Sequence, residues 1–340
     1  MARLPVNSLN SAPRNYIING NFDFWQRATT LGTSTGNRYC ADRWQCTSTG
    51  TTYSTDRIAF TVGQTAVPNE PTYNHQIAVN SVAGASNLAI LAYNIEDVRT
   101  LAGQNATITF WAKSSVARNV AVELEQNFGT GGSPSANVNA IGVTTLALTT
   151  TYTKFNVTVA IPSISGKTIG TDAASSYLRI NIWFDAGSNF NSRTNSLGQP
   201  GSAVYNFASV SLIAGLSPPE RFFLAGGNIQ GELAACQRYY EKSYRLDTAP
   251  AAITGTDAAN GIASSSGELD LSWDYRVSKR TGASVTLYSP VTGAINRADS
   301  GGDKVIGVSG AFAWGFYLNS GGVVSASNNY SFHWTADADY

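Results

Sequence analysis

Apolar and polar residues alternate with a period of two through most of this chain. In Thr107–Lys113, the residues Ile108, Phe110 and Ala112 share one face, and Thr109, Trp111 and Lys113 share the other. Val120, Val122 and Leu124 alternate with Ala121, Glu123 and Glu125. Leu178, Ile180, Ile182 and Phe184 alternate with Arg179, Asn181, Trp183 and Asp185. One apolar face at this period marks a half-buried strand of an antiparallel sheet. Turn-forming stretches at Gly129–Ser133, Gly187–Asn191 and Gly198–Gly201 separate the segments. Repeated strands with no helical period between them predict a jelly-roll β-sandwich over residues 15–216.

Residues 217–248 read as a connector. Pro218 and Pro219 close the strand pattern, and Asn228–Tyr244 carries the one convincing helical pattern. Ile229, Leu233, Cys236 and Tyr240 fall at four-three-four spacing, a narrow apolar seam. Two readings stay open: a connector packed on a sheet, or a seam around a symmetry axis that makes the protein a homotrimer. Gly231 weakens the first turn in either case.

Alternation returns over residues 249–340. Leu269, Leu271, Trp273 and Tyr275 alternate with Glu268, Asp270, Ser272 and Asp274. Phe312, Trp314 and Phe316 line one face of a later strand, and Tyr330, Phe332 and Trp334 a face of the last. Gly301-Gly302 and Gly321-Gly322 mark tight connections. The expected fold class is therefore all-β: an N-terminal jelly-roll β-sandwich, a short connecting helix and a smaller C-terminal β-sandwich. Residues 1–14 form a polar arm ahead of them.

Composition sharpens this picture. A chain of 340 residues suits two domains, and 43% hydrophobic residues suffice for a sizeable core. Charged residues are sparse at 13%, and 22 Lys+Arg balance 22 Asp+Glu, so no net field draws in nucleic acid or an anionic membrane. Gly, Ser, Thr and Asn replace charge, as on extracellular or virion β-proteins. No run approaches the roughly 20 apolar residues of a membrane helix, so membrane insertion is not expected. The first fifteen residues lack the apolar core of a signal peptide, so an external protein of this kind would leave its cell by another route, such as lysis of an infected bacterium.

Candidate chemistry is thin. His75 and His333 fall in different predicted domains, which leaves few candidates for a Ser–His–Asp arrangement, and His333 reads as surface-facing or satisfied. Glu123 and Glu125 share a strand face. Carboxylates roughly 5–9.5 Å apart can cleave a glycosidic bond, although a solvated acidic face is the plainer reading. No catalytic residue is assigned and a non-enzymatic protein is expected. Cys40 and Cys46 flank Trp44, as a disulfide or as packed thiols; with Cys236 and two His they make no zinc pattern. No metal and no cofactor is assigned. Gly129–Gly132 runs into Ser-Pro rather than a phosphate-binding helix start. Asn19, Asn21 and Asp23 offer oxygens to calcium, or simply make a polar turn. The better candidates are for carbohydrate binding: Trp111 and Trp183 sit on polar strand faces, and around Trp183 stand Arg179, Asn181 and Asp185. An aromatic ring among polar groups can stack on a sugar, unless a loop, the helix or a second subunit covers it.

Asn15–Trp44, reading NYIINGNFDFWQRATTLGTSTGNRYCADRW, resembles the opening of many phage tail-fibre and virion-surface proteins. There an INGxFDxWQR segment and an ADRW segment begin a jelly roll similar to carbohydrate-binding modules. Leu233–Tyr244, ending in CQRYYEKSY, resembles the helix after that module, and the closing SFHWTADADY resembles the C-terminal ends of the same proteins. The resemblance implies a place on the virion surface, other virion proteins as partners, and host surface polysaccharide as a ligand. It implies an attachment or subunit-contact role for the 1–14 arm. Many such modules hold calcium between an acid just after the NGxF segment and an aspartate in the final strand. Asp23 matches the first position, but Ala208 and Ser209 stand at the second. Trp25 and Trp44 are expected in the core.

Overall fold

Ten strands make the larger β unit: β1 (Thr30–Tyr39), β2 (Trp44–Ala59), β3 (Tyr73–Asn80), β4 (Leu88–Glu96), β5 (Asn105–Ser114), β6 (Arg118–Asn127), β7 (Val138–Leu148), β8 (Thr153–Ala160), β9 (Tyr177–Ala186) and β10 (Ala203–Ala214). The computed structural model describes residues 14–263, 271–319 and 328–340. Strand β2 makes two layers from one hydrogen-bonded path. Its first half, Trp44–Gly50, pairs with β4, and its second half, Thr52–Ala59, pairs with β3. The register shifts at Gly50, which has φ 68° and approaches the Asn87 side chain so closely that a Cβ would collide with it. One layer then runs β7-β6-β9-β4-β2 and the other β2-β3-β10-β5-β8, with β1 following β2 along both. All pairings are antiparallel.

The alternating residues explain the layers. Ile108, Phe110, Val120, Val122, Leu124, Leu178, Ile180, Ile182 and Phe184 all point into one core, joined by Trp25 and Trp44. The all-β sandwich expected from the period-two pattern is the fold observed.

Beyond it come a short helix α1 (Asn191–Thr194), inserted between β9 and β10, and the helix α2 (Ile229–Gln237). Helix α2 has nine residues and ends well before Tyr244. Asn228 caps it by accepting from Gly231 N at 2.9 Å. Gly231 also lets the Gly226 backbone approach, where a Cβ would collide with the carbonyl oxygen. The expected seam is therefore broken. Tyr240 leaves the helix for strand β11 (Tyr240–Lys242), because its backbone pairs with Asp337 at the chain end. Cys236 and Tyr240 are buried inside the chain, Leu233 is half-buried and Ile229 is 52% exposed. Helix α2 instead turns Glu232 inward, where the carboxylate accepts from Asn19 N and Gly226 N.

The C-terminal strands are β12 (Ala259–Ile262), β13 (Leu271–Asp274), β14 (Ser284–Tyr288), β15 (Arg297–Asp299), β16 (Asp303–Val305), β17 (Gly307–Ala311), β18 (Gly315–Asn319) and β19 (Asn329–Asp337). Strand β19 pairs with β11, β12, β14 and β15, while β13-β18-β17 form a separate small sheet. Leu287, Phe316, Leu318, Tyr330, Phe332 and Trp334 pack between them. Phe312 and Trp314 do not continue the Phe316 face, because the chain reverses between β17 and β18. They lie 42% and 45% exposed, stacked on each other at 5.4 Å. Glu268, Leu269, Asp270, Gly321-Gly322 and the arm up to residue 13 lie outside the described residues.

The three segments that carry the phage-protein resemblance meet at one joint. Arg27 donates to Asp337 and Asp339 at 2.8 and 2.9 Å, and its guanidinium lies 3.8 Å from the Tyr240 ring centre. Arg43, fully buried with φ 75°, pairs with Asp339, donates to Asn94 O at 2.6 Å and stacks on Tyr239. Arg238 and Tyr239 both reach Glu96. Such buried, multiply bonded charges fix one relative placement of the two β units.

Candidate functional site

The outward face of β9 carries most of the candidate residues, and its two ends differ. At the Trp183 end the face is covered. The 3-10 turn Ser188–Phe190 and helix α1 fold back over it, placing Phe190 5.3 Å from the indole and Arg193 at the same distance from the ring centre. Trp183 is 1% exposed and forms a second small core with Ile90, Ala92, Ala121 and Ala186. It is not an exposed platform, which corrects the expectation drawn from its polar-face position.

Glu123 organises the polar part of this end. Its Oε1 accepts from Trp183 Nε1 at 3.1 Å, Asn181 Nδ2 at 3.2 Å and Arg193 Nε at 2.9 Å, while Oε2 accepts from Ala140 N at 2.8 Å. Arg193 also reaches Glu125 at 2.8 Å. The two glutamates thus sit beneath Arg193 rather than on a solvated face. Glu123 has its acceptor positions taken by structural donors, which leaves it poorly placed to act on a substrate. Asp185 is likewise internal, accepting from Thr51 Oγ1 at 2.5 Å and Ser81 Oγ at 2.9 Å.

At the other end the face opens. Arg179 is half-buried, donating to Asn181 Oδ1 at 2.9 Å and to Gln45 Oε1 at 3.3 Å. Beside it lies a cavity of about 460 Å³ lined by Gln45, Asn94, Asn127, Tyr177, Arg179 and Tyr340, among others. Tyr177 and Tyr340 meet edge to face at 5.0 Å, and Asn127 Nδ2 donates to the Tyr177 hydroxyl at 3.1 Å. Arg280 lies over the Tyr340 ring at 3.9 Å and reaches the Ala174 carbonyl, so both β units build the wall. Two buried polar atoms on this wall have no protein partner: Asn94 Oδ1 and Tyr340 Oη. Burial pushes the Tyr340 phenol well above its ordinary value, so it stays a neutral donor. Of the sequence candidates only Arg179 lines this cavity. Gln45, Asn94, Asn127, Tyr177 and Tyr340 come from scattered positions with no shared motif.

Trp111 belongs to the opposite layer, on β5, so it does not share a surface with Trp183. It is half-buried beside a recess of about 40 Å³ lined by Asn69, Lys154, Pro219 and Phe222, far below the few hundred Å³ of a typical ligand site.

The calcium implied by the resemblance does not fit. Ser209, at φ 53° in the final strand, donates its hydroxyl to Asn21 Oδ1 at 3.2 Å, where a second carboxylate would be needed. Burial and the nearby Glu232 push Asp23 up to about 6 against the opposing pull of Arg57, so a full anionic donor set is lacking. His333 is a satisfied core residue: its Nε2 donates to Thr254 O at 2.9 Å, its Nδ1 accepts from Ser243 Oγ at 2.8 Å, and the ring stacks on Tyr244. The one grouping among the described residues with metal-ligating atoms close together is Cys40, Cys46 and His75, all buried, with these atoms within 4.8 Å of one another. Sequence spacing hid it, because His75 comes from the next strand. Among the described residues no helix is long and apolar enough to cross a membrane.

No family model and no curated protein matches the sequence. Among solved structures, the chain is similar to the family 11 carbohydrate-binding module of a cellulosomal cellulase from Clostridium thermocellum, at 11% identity over 54% of this chain and 98% of that one, with a TM-score of 0.33. It is similar to a xylan-binding domain from Paenibacillus barcinonensis at 12% identity, over 57% and 99%, with a TM-score of 0.30. The enzymatically active domain of tailspike protein 4 of bacteriophage CBA120 matches at 12% identity over 59% of this chain but only 21% of its own, with a TM-score of 0.32. These likenesses are of fold.

Proposed function

We propose that the cavity at the open end of the β9 face binds a saccharide, and that the protein is a non-enzymatic adhesion component on the surface of a bacteriophage particle. The observation that carries the binding reading is the wall itself. Amide, guanidinium and phenol side chains of Gln45, Asn127, Tyr177, Arg179 and Arg280 line one hollow, with the unpartnered Asn94 Oδ1 and Tyr340 Oη buried behind it. Flat donors and acceptors of this kind read vicinal hydroxyls in pairs, and a half-buried tyrosine ring offers the apolar face of a sugar something to stack on. Arg179 and Arg280 line the hollow together with Asp172 and Asp339, so its formal charges balance, which suits a neutral ligand. The phage context is supported by the Asn15–Trp44, Leu233–Tyr244 and SFHWTADADY segments. Adhesion would be multivalent, several weak sites acting together through an oligomer such as a homotrimer and through contacts with other virion proteins. The α2 seam cannot hold that oligomer as expected, because half of it is buried within the chain, so other surfaces would carry the contact.

The test is binding of purified protein to host surface polysaccharide, by glycan array and calorimetry. Wild type should bind, and Arg179→Ala should weaken binding without unfolding the sandwich. No signal from the intact oligomer removes the adhesion reading. A second reading, a structural or decoration component without a receptor, is favoured by the exposed Phe312–Trp314–Tyr317 cluster, a surface suited to a neighbouring subunit. Under it, Trp314→Ala impairs particle incorporation while polysaccharide binding is absent throughout.

A further inference from the structure

Cys40, Cys46 and His75 meet inside the larger sandwich, beneath the INGxFDxWQR segment. Cys40 closes the tight β1–β2 connection, where Cys40 N donates to Trp44 O at 2.9 Å and Trp44 N to Ala41 O at 2.8 Å. Cys46 lies on the inward face of β2, and His75 on the inward face of β3. The two sulfurs are 3.6 Å apart. All three side chains are essentially inaccessible to water.

The histidine makes the cluster unusual. Its ring is 0% exposed, packed 5.1 Å from Phe22 and 4.9 Å from Trp25, and its nitrogens meet no oxygen or nitrogen partner, only the Cys40 and Cys46 sulfurs within 4.8 Å. A neutral imidazole brings one donor and one acceptor into the core, and leaving both unused is unfavourable. Nearby on the same side, the Trp44 carbonyl oxygen lies 3.2 Å from Cys40 Sγ.

We propose that Cys40, Cys46 and His75 form a structural site for a thiophilic divalent cation of the zinc class. A tetrahedral ion with metal–sulfur bonds of about 2.3 Å sets its two sulfurs roughly 3.7 Å apart, close to the separation seen, whereas a disulfide needs about 2.0 Å. Charge points the same way. Binding releases the two thiol protons, and two thiolates and a neutral imidazole around a divalent ion leave no net charge in an apolar core. A monovalent ion in the same place would leave one negative charge buried. The Trp44 carbonyl stands beside the cluster as a further oxygen donor. With no route for water, the ion would enter during folding and tie the β1–β2 corner to β3. Its role is to hold the sandwich together rather than to react.

The experiment refolds reduced, denatured full-length protein with equimolar zinc or with a chelator, then weighs it by native mass spectrometry. One zinc per chain is expected, with a higher thermal midpoint than the chelated sample. Cobalt in place of zinc should give intense sulfur-to-cobalt charge-transfer absorption, lost in Cys46→Ser and weakened in His75→Phe. If those variants fail to fold, the comparison of wild type with and without zinc still decides. Refolded wild type that carries no zinc overturns the proposal. So does a peptide map in which Cys40 and Cys46 are joined as a disulfide after aerobic purification.

Discussion

The two ends of one strand face make an instructive pair. Arg179 and Trp183 lie on the same side of β9, yet Trp183 is sealed under Phe190 and Arg193 while Arg179 borders an open polar cavity. The sealed end has the larger aromatic and the stronger ion pair, and both serve stability. The open end has weaker contacts and an accessible hollow, with two unpartnered polar atoms buried just behind its wall. The general lesson is that a polar strand face is not yet a surface. What decides is whether a following segment of chain returns over it, and here Ser188–Thr194 covers one end only.

The contrast breaks most visibly at Trp183. Trp183→Ala should cost about 4 kcal/mol by chemical denaturation, since it empties a packed site that cannot collapse. Arg179→Ala should cost about 1 kcal/mol, the loss of its hydrogen bonds to Asn181 and Gln45 with no core packing removed. Equal losses at the two positions would mean that the ends are not distinct.

A smaller effect is expected at Glu123. Glu123→Ala leaves Asn181 Nδ2, Trp183 Nε1 and Ala140 N without their acceptor and leaves Arg193 only Glu125. Removing one partner of a buried pair costs about 3–5 kcal/mol, and the lower end applies because the Arg193 side chain keeps 25% of its exposure. The double variant Glu123→Met, Arg193→Met should recover only part of the loss, because Glu125 then loses its Arg193 partner and Asn181 Nδ2, Trp183 Nε1 and Ala140 N still lack an acceptor. A double variant no better than the single one would show that the carboxylate does more than hold Arg193.

How much of this was legible beforehand follows from the physics of alternation. Period two identified the strands and their inward residues, because side-chain direction along a strand is local. It placed Arg179, Asn181 and Trp183 on one face of β9, but a register shift after Trp183 pairs Asp185 with Ala89 of the core face, so Asp185 does not share the face expected for it. It could not show that residues 188–197 return over Trp183, since a composition dominated by Asn, Ser and Thr reads as a loop wherever it goes. The same limit broke the α2 seam. Its spacing is helical through Tyr240, but pairing with β19 wins the last residues for a strand, and that partner lies at the far end of the chain. The cavity was invisible for a related reason: Gln45, Asn94, Tyr177 and Tyr340 become neighbours only through sheet order and the Arg43–Asp339 joint. So was the thiol–imidazole cluster, whose ligands sit on adjacent strands rather than in one spaced motif.

At the open end the expected effects are on affinity. Arg179→Ala should weaken polysaccharide binding about tenfold, equivalent to about 1.4 kcal/mol, with the fold intact by circular dichroism. Unaltered affinity would move the site away from this cavity.

The finest distinction concerns one oxygen. Tyr340 Oη is buried without a protein partner, so its desolvation is not offset in the free protein. If the wall gives way on binding and a saccharide hydroxyl then completes it, Tyr340→Phe removes one hydrogen bond of about 1 kcal/mol from the complex and lowers affinity roughly fivefold. The same change removes an unsatisfied polar atom from the free protein, so stability should stay level or rise slightly. A structural role makes the opposite prediction, a lower melting temperature with affinity intact. Measuring both quantities on this one variant therefore separates a wall that waits for a ligand from a wall that merely packs.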